Sequence, residues 1–243
     1  MQSVWAETSY GRLHALAGGT APPVVILVPG LVIASEYMAP TGKILAEFCR
    51  VYAVDLPGYG LSVKPRKVLA LAELADALAE WMDASGIQRA HFFGNSFGCQ
   101  ILAWLAVRHP KRVDRLVLQG PTVDPEARSL MRQLLRLIRN SRLESPDLGR
   151  ITRRDYRRAG LRRAWATLRL ALRDRIEDRL PLVLAPCLVV RGDRDPLVPQ
   201  RWAERVARLL PRGELVVVPG ASHTMNYVAP DALVAAMRPF LGL

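Results

Sequence analysis

The sequence predicts an α/β fold, a mostly parallel central sheet flanked by helices and carrying a small helical insertion. Three observations predict it. Short β-rich runs are apolar throughout rather than alternating, as in strands buried on both faces of a parallel sheet. Segments with apolar residues at spacings of three and four fill the gaps between these runs. The chain has 243 residues, 50% hydrophobic and 23% charged, which suits a globular protein with a sizeable core. Strands alternating with helices imply right-handed crossovers between parallel strands.

The elements follow in order. The first 20 residues, with Gly11 between two β-like stretches, read as an antiparallel hairpin on the sheet edge. Val24 to Val28 is a strand ended by Pro29-Gly30, and Val51 to Val54 is another, ended by Asp55-Leu56-Pro57-Gly58. Leu71, Leu74, Ala75, Leu78 and Met82 mark a helix. Ala90 to Phe93 is a strand running into Gly94-Asn95-Ser96-Phe97-Gly98, and Cys99 to His109 is the helix after it. Val113 to Leu118, Cys187 to Val190 and Leu215 to Val218 are further strands. Trp202, Val206, Leu209 and Leu210, then Leu233, Ala236, Met237 and Phe240, mark the last two helices.

One segment interrupts the alternation. Residues 121–180 carry no strand-like run, so 1–120 and 181–243 are expected to form the core and 121–180 a helical cap. Leu130, Leu134, Leu137 and Ile138 mark one amphipathic helix of the cap; Leu161, Trp165, Leu168 and Leu172 mark a second. Asn140 to Gly149, with Ser145, Pro146 and Gly149, reads as their connection. Such a cap would lie over the carboxyl edge of the sheet, where ligands bind in open α/β sheets.

The net charge of +12 is concentrated in this segment, which has 16 Arg and 8 Asp and Glu. Helical spacing puts most of these arginines opposite the apolar stripes, so the charge is read as a solvated face. Nucleic acid is not an expected partner, because Tyr156 and Trp165 alone give no base-stacking platform. No apolar run reaches the roughly 18 residues that span a bilayer, so no membrane partner is expected. Cys49, Cys99 and Cys187 are odd in number and far apart, as core thiols of a cytoplasmic protein would be. Cys99, three residues past Ser96, is the one candidate for a reactive thiol. Nothing in the sequence bears on oligomeric state.

A serine between two glycines, with a strand before it and a helix after it, is the setting of a nucleophile elbow. The glycines permit a sharp reversal that lifts the hydroxyl above the sheet, and the following helix aims its N-terminal amides there. A serine hydroxyl needs a base to take its proton. Of the four histidines, His14, His91, His109 and His223, only His223 follows a loop acid in the order Ser, Asp, His. Asp193 and Asp195, after the strand at 187–190, are both candidates for the acid that orients the imidazole. Asp55 precedes the serine and is expected to organise its own turn.

On these motifs the chain resembles a single-domain α/β-hydrolase over essentially its whole length. The matching pieces are Pro29-Gly30, Asp55 through Ser62, Gly94 through Gly98, Gly192 through Pro199 and Gly220 through His223. The resemblance implies a serine hydrolase with Ser96 as nucleophile, His223 as base and Asp195, three residues after the strand-ending glycine, as the acid. By position it implies an oxyanion hole from the backbone amides of Leu31 and Phe97, although Pro29-Gly30 stands where the family usually has His-Gly. It implies no metal and no organic cofactor, and a small-molecule substrate. Met131, Leu134 and Trp165 are the expected cap residues of an acyl pocket. Carboxylic ester hydrolysis is the leading activity. Asn95 before the serine and a helical cap are similar to hydrolases of ring-cleavage products, which cut a carbon–carbon bond of a vinylogous keto acid. A non-catalytic binder on the same fold is the alternative of another class.

Overall fold

The computed structural model describes residues 1–141 and 144–243. Its eight strands are β1 (Gln2–Thr8), β2 (Gly11–Gly18), β3 (Val24–Val28), β4 (Arg50–Val54), β5 (Ala90–Asn95), β6 (Val113–Gln119), β7 (Cys187–Gly192) and β8 (Gly213–Val218). They form one sheet in the order β1-β2-β4-β3-β5-β6-β7-β8. β1 and β2 pair antiparallel as the expected edge hairpin, and β2 meets β4 antiparallel. Every later pairing is parallel.

The strands are apolar throughout because both faces are covered. Ile26, Val28, Phe92, Leu116, Leu118 and Val189 join one buried cluster; Val25, Leu27, Phe93, Val117, Leu188 and Val190 join the other. Helices α1 (Ala39–Leu45), α9 (Met225–Val228) and α10 (Pro230–Leu241) cover the second face. Helices α2 (Leu71–Ala84), α3 (Phe97–Arg108) and α8 (Gln200–Leu209) cover the first. β3 lies between β4 and β5, so the chain winds outward in both directions from there. The loops after β3 and β5 therefore diverge at their carboxyl ends and open a crevice, the general position for a ligand in such sheets.

Between β6 and β7 the chain is helical: α4 (Leu130–Ser141), α5 (Pro146–Ala159), α6 (Leu161–Arg173) and α7 (Ile176–Arg179). Helix α5 begins inside the stretch expected as a connection and takes its last four residues, 146–149, while α4 takes 140 and 141; of that connection, residues 142 and 143 lie outside the described residues. The helix was hidden because its inward face is mixed: Leu148 and Asp155 are buried, with no apolar stripe between them. Ser145 and Pro146, read as turn residues, start it instead. Ser145 Oγ accepts from the Leu148 N–H at 3.3 Å, with Pro146 in the first turn.

Helix α4 also departs from expectation. Its buried residues are Gln133 and Asn140, while Met131, Leu134, Leu135 and Ile138 face outward. Gln133 Nε2 donates to the Ala127 carbonyl at 2.7 Å and Asn140 Nδ2 to Glu144 at 2.6 Å. Nor are all the arginines opposite the apolar residues in water: Arg136 turns in and donates to the Leu197 carbonyl at 2.9 Å and to Asp124 at 3.1 Å.

Candidate active site

Ser96 sits between β5 and α3 at φ 56°, ψ −115°, a backbone conformation that a non-glycine residue adopts only under constraint. The flanking glycines supply the constraint by close approach. A Cβ on Gly94 would lie 2.8 Å from Leu102 Cδ1, and one on Gly98 would overlap the Val28 carbonyl oxygen. The turn thus wedges α3 against the end of β3 and holds the hydroxyl over the crevice.

His223 lies in the loop between β8 and α9, and Asp195 in the loop after β7. His223 Nδ1 is 2.7 Å from Asp195 Oδ2, and both residues are buried. The other carboxylate oxygen accepts from the Leu197 and Val198 amides at 2.8 and 3.1 Å. Asp193, the alternative acid, is exposed. The backbone of the His223 loop is held as well: Gln119 Nε2 and Asn95 Nδ2 donate to the His223 main-chain carbonyl at 3.0 and 3.3 Å. His223 Nε2 is buried without a hydrogen-bond partner among the described residues. Ser96 Oγ lies 3.5 Å from Thr122 Oγ1. Ser96 and His223 line one cavity of about 240 Å³.

The other histidines are spent elsewhere. His109 Nε2 is 2.7 Å from Asp76, and His91 Nδ1 is 3.4 Å from Asp114. His14 forms a second Ser–His–Asp run, 2.8 Å from Asp55 and 3.0 Å from Ser3 Oγ. That run lies on the β1–β2 edge, and neither Ser3 nor His14 lines the cavity at Ser96. Asp55 organises its own turn, as expected, by accepting from the Leu61 and Ser35 amides at 2.9 and 2.6 Å. Cys99 is no nucleophile: it is fully buried, and burial pushes its thiol well above the usual range.

Leu31 lines the cavity and Phe97 opens α3, and neither amide donates to another group among the described residues. The loop carrying Leu31 is anchored by two carboxylates. Ser35 N–H donates to Asp55, and Ala34 N–H donates to Asp155 Oδ2 at 3.0 Å. Asp155 comes from α5, 121 positions along the chain, and no sequence pattern marked it. Burial raises its pKa above the ordinary carboxylate value, against the pull of the Ala34 amide and Arg154.

Met131, Leu134 and Trp165 do not line the cavity; all three are exposed. The apolar lining comes instead from Leu31, Ile33, Leu137, Leu148, Tyr156 and Leu197. The correction follows from the rotation of α4, which turns Leu137 toward Ser96 and Leu134 away. One carboxylate, Glu144, also lines the cavity, with its pKa raised by burial and drawn back by His223 and Asn140. No Arg or Lys lines it among the described residues.

Comparison with known proteins agrees with this architecture. A model of the alpha/beta hydrolase family matches residues 25–236. A Caulobacter sp. (strain K31) protein named as the carbamate hydrolase RutD is 28% identical, over 95% of this chain and 96% of its own. The 2-hydroxymuconate semialdehyde hydrolase of Pseudomonas sp. (strain CF600) is 30% identical, over 74% and 71%. The crystal structure of the enol-lactonase from Burkholderia xenovorans LB400 superposes with a TM-score of 0.83 at 22% identity, covering 99% of this chain and 100% of that one. The chain belongs to the alpha/beta hydrolase family and, with these relatives, to its enzymes.

Proposed function

We propose that the protein is a serine hydrolase that cleaves a carboxylic ester through Ser96, His223 and Asp195, with residues 121–180 as a cap that closes the acyl pocket. The observation that carries this is the buried His223–Asp195 pair: His223 Nε2 has no hydrogen-bond partner among the described residues, and His223 lines the same cavity as Ser96 on its strained turn. In the reaction His223 Nε2 takes the Ser96 proton as Oγ bonds to the carbonyl carbon. Asp195 stabilises the imidazolium without taking its proton. The electron pair displaced onto the carbonyl oxygen is met by the Leu31 and Phe97 amides, worth about 3–4 kcal/mol per donor at such sites. The tetrahedral adduct collapses, the C–O bond to the alcohol breaks, and His223 protonates the leaving oxygen. Water then repeats the sequence on the acyl-enzyme and frees Ser96.

The cavity's charge favours an ester over the carbon–carbon substrate. A vinylogous keto acid brings a carboxylate that wants a positioned guanidinium. Glu144 lies on the described lining, and an acid there would oppose that carboxylate. The relative's carbamate name adds a neighbouring reading: a carbamate is a neutral acyl group open to the same addition and elimination.

A fluorophosphonate probe tests the nucleophile, and kcat/KM on a para-nitrophenyl ester against a ring-cleavage dienoate tests the substrate. Stoichiometric labelling of Ser96 and an ester preference are expected. Absence of labelling would favour a binder. A dienoate preference of about a hundredfold, near 2.7 kcal/mol, would favour carbon–carbon cleavage.

A further inference from the structure

Helix α4 is turned inside out for a surface helix. Its buried residues are Gln133 and Asn140, and Leu137 borders the cavity while 41% exposed; Met131, Leu134, Leu135 and Ile138 follow one another at spacings of three, one and three on the outside. These four are 65%, 49%, 51% and 47% exposed. Scattered surface leucines are ordinary; a run of large apolar side chains along one outward helix face marks a contact surface.

The charge of the helical insertion says what that contact is. Residues 130–141 include three arginines and no acid. Arg136 is spent inward, but Arg132 and Arg139 are exposed beside the stripe. On α5 and α6, Arg153, Arg157, Arg158, Arg162 and Arg169 are exposed and in no ion pair among the described residues. A second copy of the chain would bring one such basic insertion against another, each on a molecule of net charge +12, and like charges oppose that pairing. A helix with an apolar stripe flanked by arginines instead suits an anionic lipid surface: the stripe enters the acyl boundary and the guanidiniums meet the headgroup phosphates.

We infer that α4 seats the protein peripherally on anionic membranes. No helix among the described residues is long and apolar enough to cross a bilayer, and a helix lying in the interface crosses nothing. The sequence expectation of no membrane partner rests on the lack of a spanning segment and does not bear on this mode. Because Leu137 of the same helix lines the cavity at Ser96, docking places the cavity beside the lipid headgroups.

Co-sedimentation of the full chain with phosphatidylglycerol/phosphatidylcholine vesicles, against phosphatidylcholine alone, tests the inference. Binding to the anionic vesicles that weakens at least about tenfold in Leu135→Glu/Ile138→Glu is expected, with hydrolysis of a soluble para-nitrophenyl ester kept within about twofold. If circular dichroism shows that pair unfolded, Leu135→Ser/Ile138→Ser takes its place with the same expectation. Ser96→Ala should bind like the unmodified chain, which separates docking from the hydrolytic reading. Three results overturn the inference: no binding to anionic vesicles, binding that the stripe variants leave unchanged, or a dimer in solution that the variants split while vesicles are ignored.

Discussion

Asp195 and Asp193 differ by two positions and by everything the fold does to them. One is buried between His223 and two backbone amides; the other is exposed. Asp195→Asn keeps an oxygen for the Leu197 and Val198 amides but presents an NH2 group to His223 Nδ1. The imidazole must then accept at Nδ1 and carry its proton on Nε2, where it cannot take the serine's. Turnover on an ester should fall by about 10⁴-fold with the fold intact, while Asp193→Asn stays within about twofold. Steady-state kinetics of both variants would check it, and the opposite ranking would remove Asp195 from the acid's role. Residue type could not separate the two aspartates in the sequence; the spacing from Gly192 in similar chains did. Asp155 is the reverse case. Its work is a hydrogen bond to the Ala34 amide, and no local pattern encodes a contact made across so many residues.

At the level of elements, strands and the serine turn were legible because their causes are local. Strands covered on both faces must be apolar at every position, and Ser96 can stand so close to β3 only between glycines. The insertion was legible only as helical. Which face of α4 turns inward depends on the carbonyl of Ala127 and on Glu144, both outside its apolar pattern, so periodicity named Leu134 for the pocket where Leu137 lies. Gly120 at the end of β6 shows an element positioning the site without any chemistry of its own. Its φ is 58°, and a Cβ there would stand 2.9 Å from His223 Cε1 and Nδ1 and 3.3 Å from Asp195 Oδ2. Gly120→Ala should therefore push the imidazole off line. We expect a loss of about a hundredfold in kcat, the cost of a misplacement near 1 Å, with KM little changed. Stability should drop by about 1 kcal/mol or somewhat more from the left-handed backbone alone. Activity within a few-fold of the unmodified enzyme would mean that His223 does not work from this position.

On the scale of the whole molecule, the helical insertion and the sheet are joined at Asp124, just past β6. Its carboxylate is almost fully buried and receives Arg136 of α4 at 3.1 Å and Arg201 of α8 at 3.0 Å. Its Oδ1 also accepts from the Glu126 amide at 3.1 Å. One side chain thus ties a helix over the cavity to a helix under the sheet. Burial alone would raise its pKa, but the hydrogen bonds from Arg201, Arg136 and the Glu126 amide outweigh it and hold the carboxyl below its ordinary value near 3.8. A carboxyl lowered by folding contributes stability that is fully present above its unfolded value and is lost as pH falls through the folded one. Asp124→Asn removes the charge at every pH. At neutral pH it should cost about 1.5–3 kcal/mol, the range for hydrogen bonds to a charged group. Melting curves of the two proteins from pH 7 downward should stay separated by a constant Tm gap through the weakly acidic range. The gap should then close below about pH 4, where Asp124 takes up its proton and comes to resemble the asparagine. A gap that persists unchanged to pH 2 would show that the carboxylate's charge is not what ties the insertion to the core, and that shape and packing at this junction do so instead.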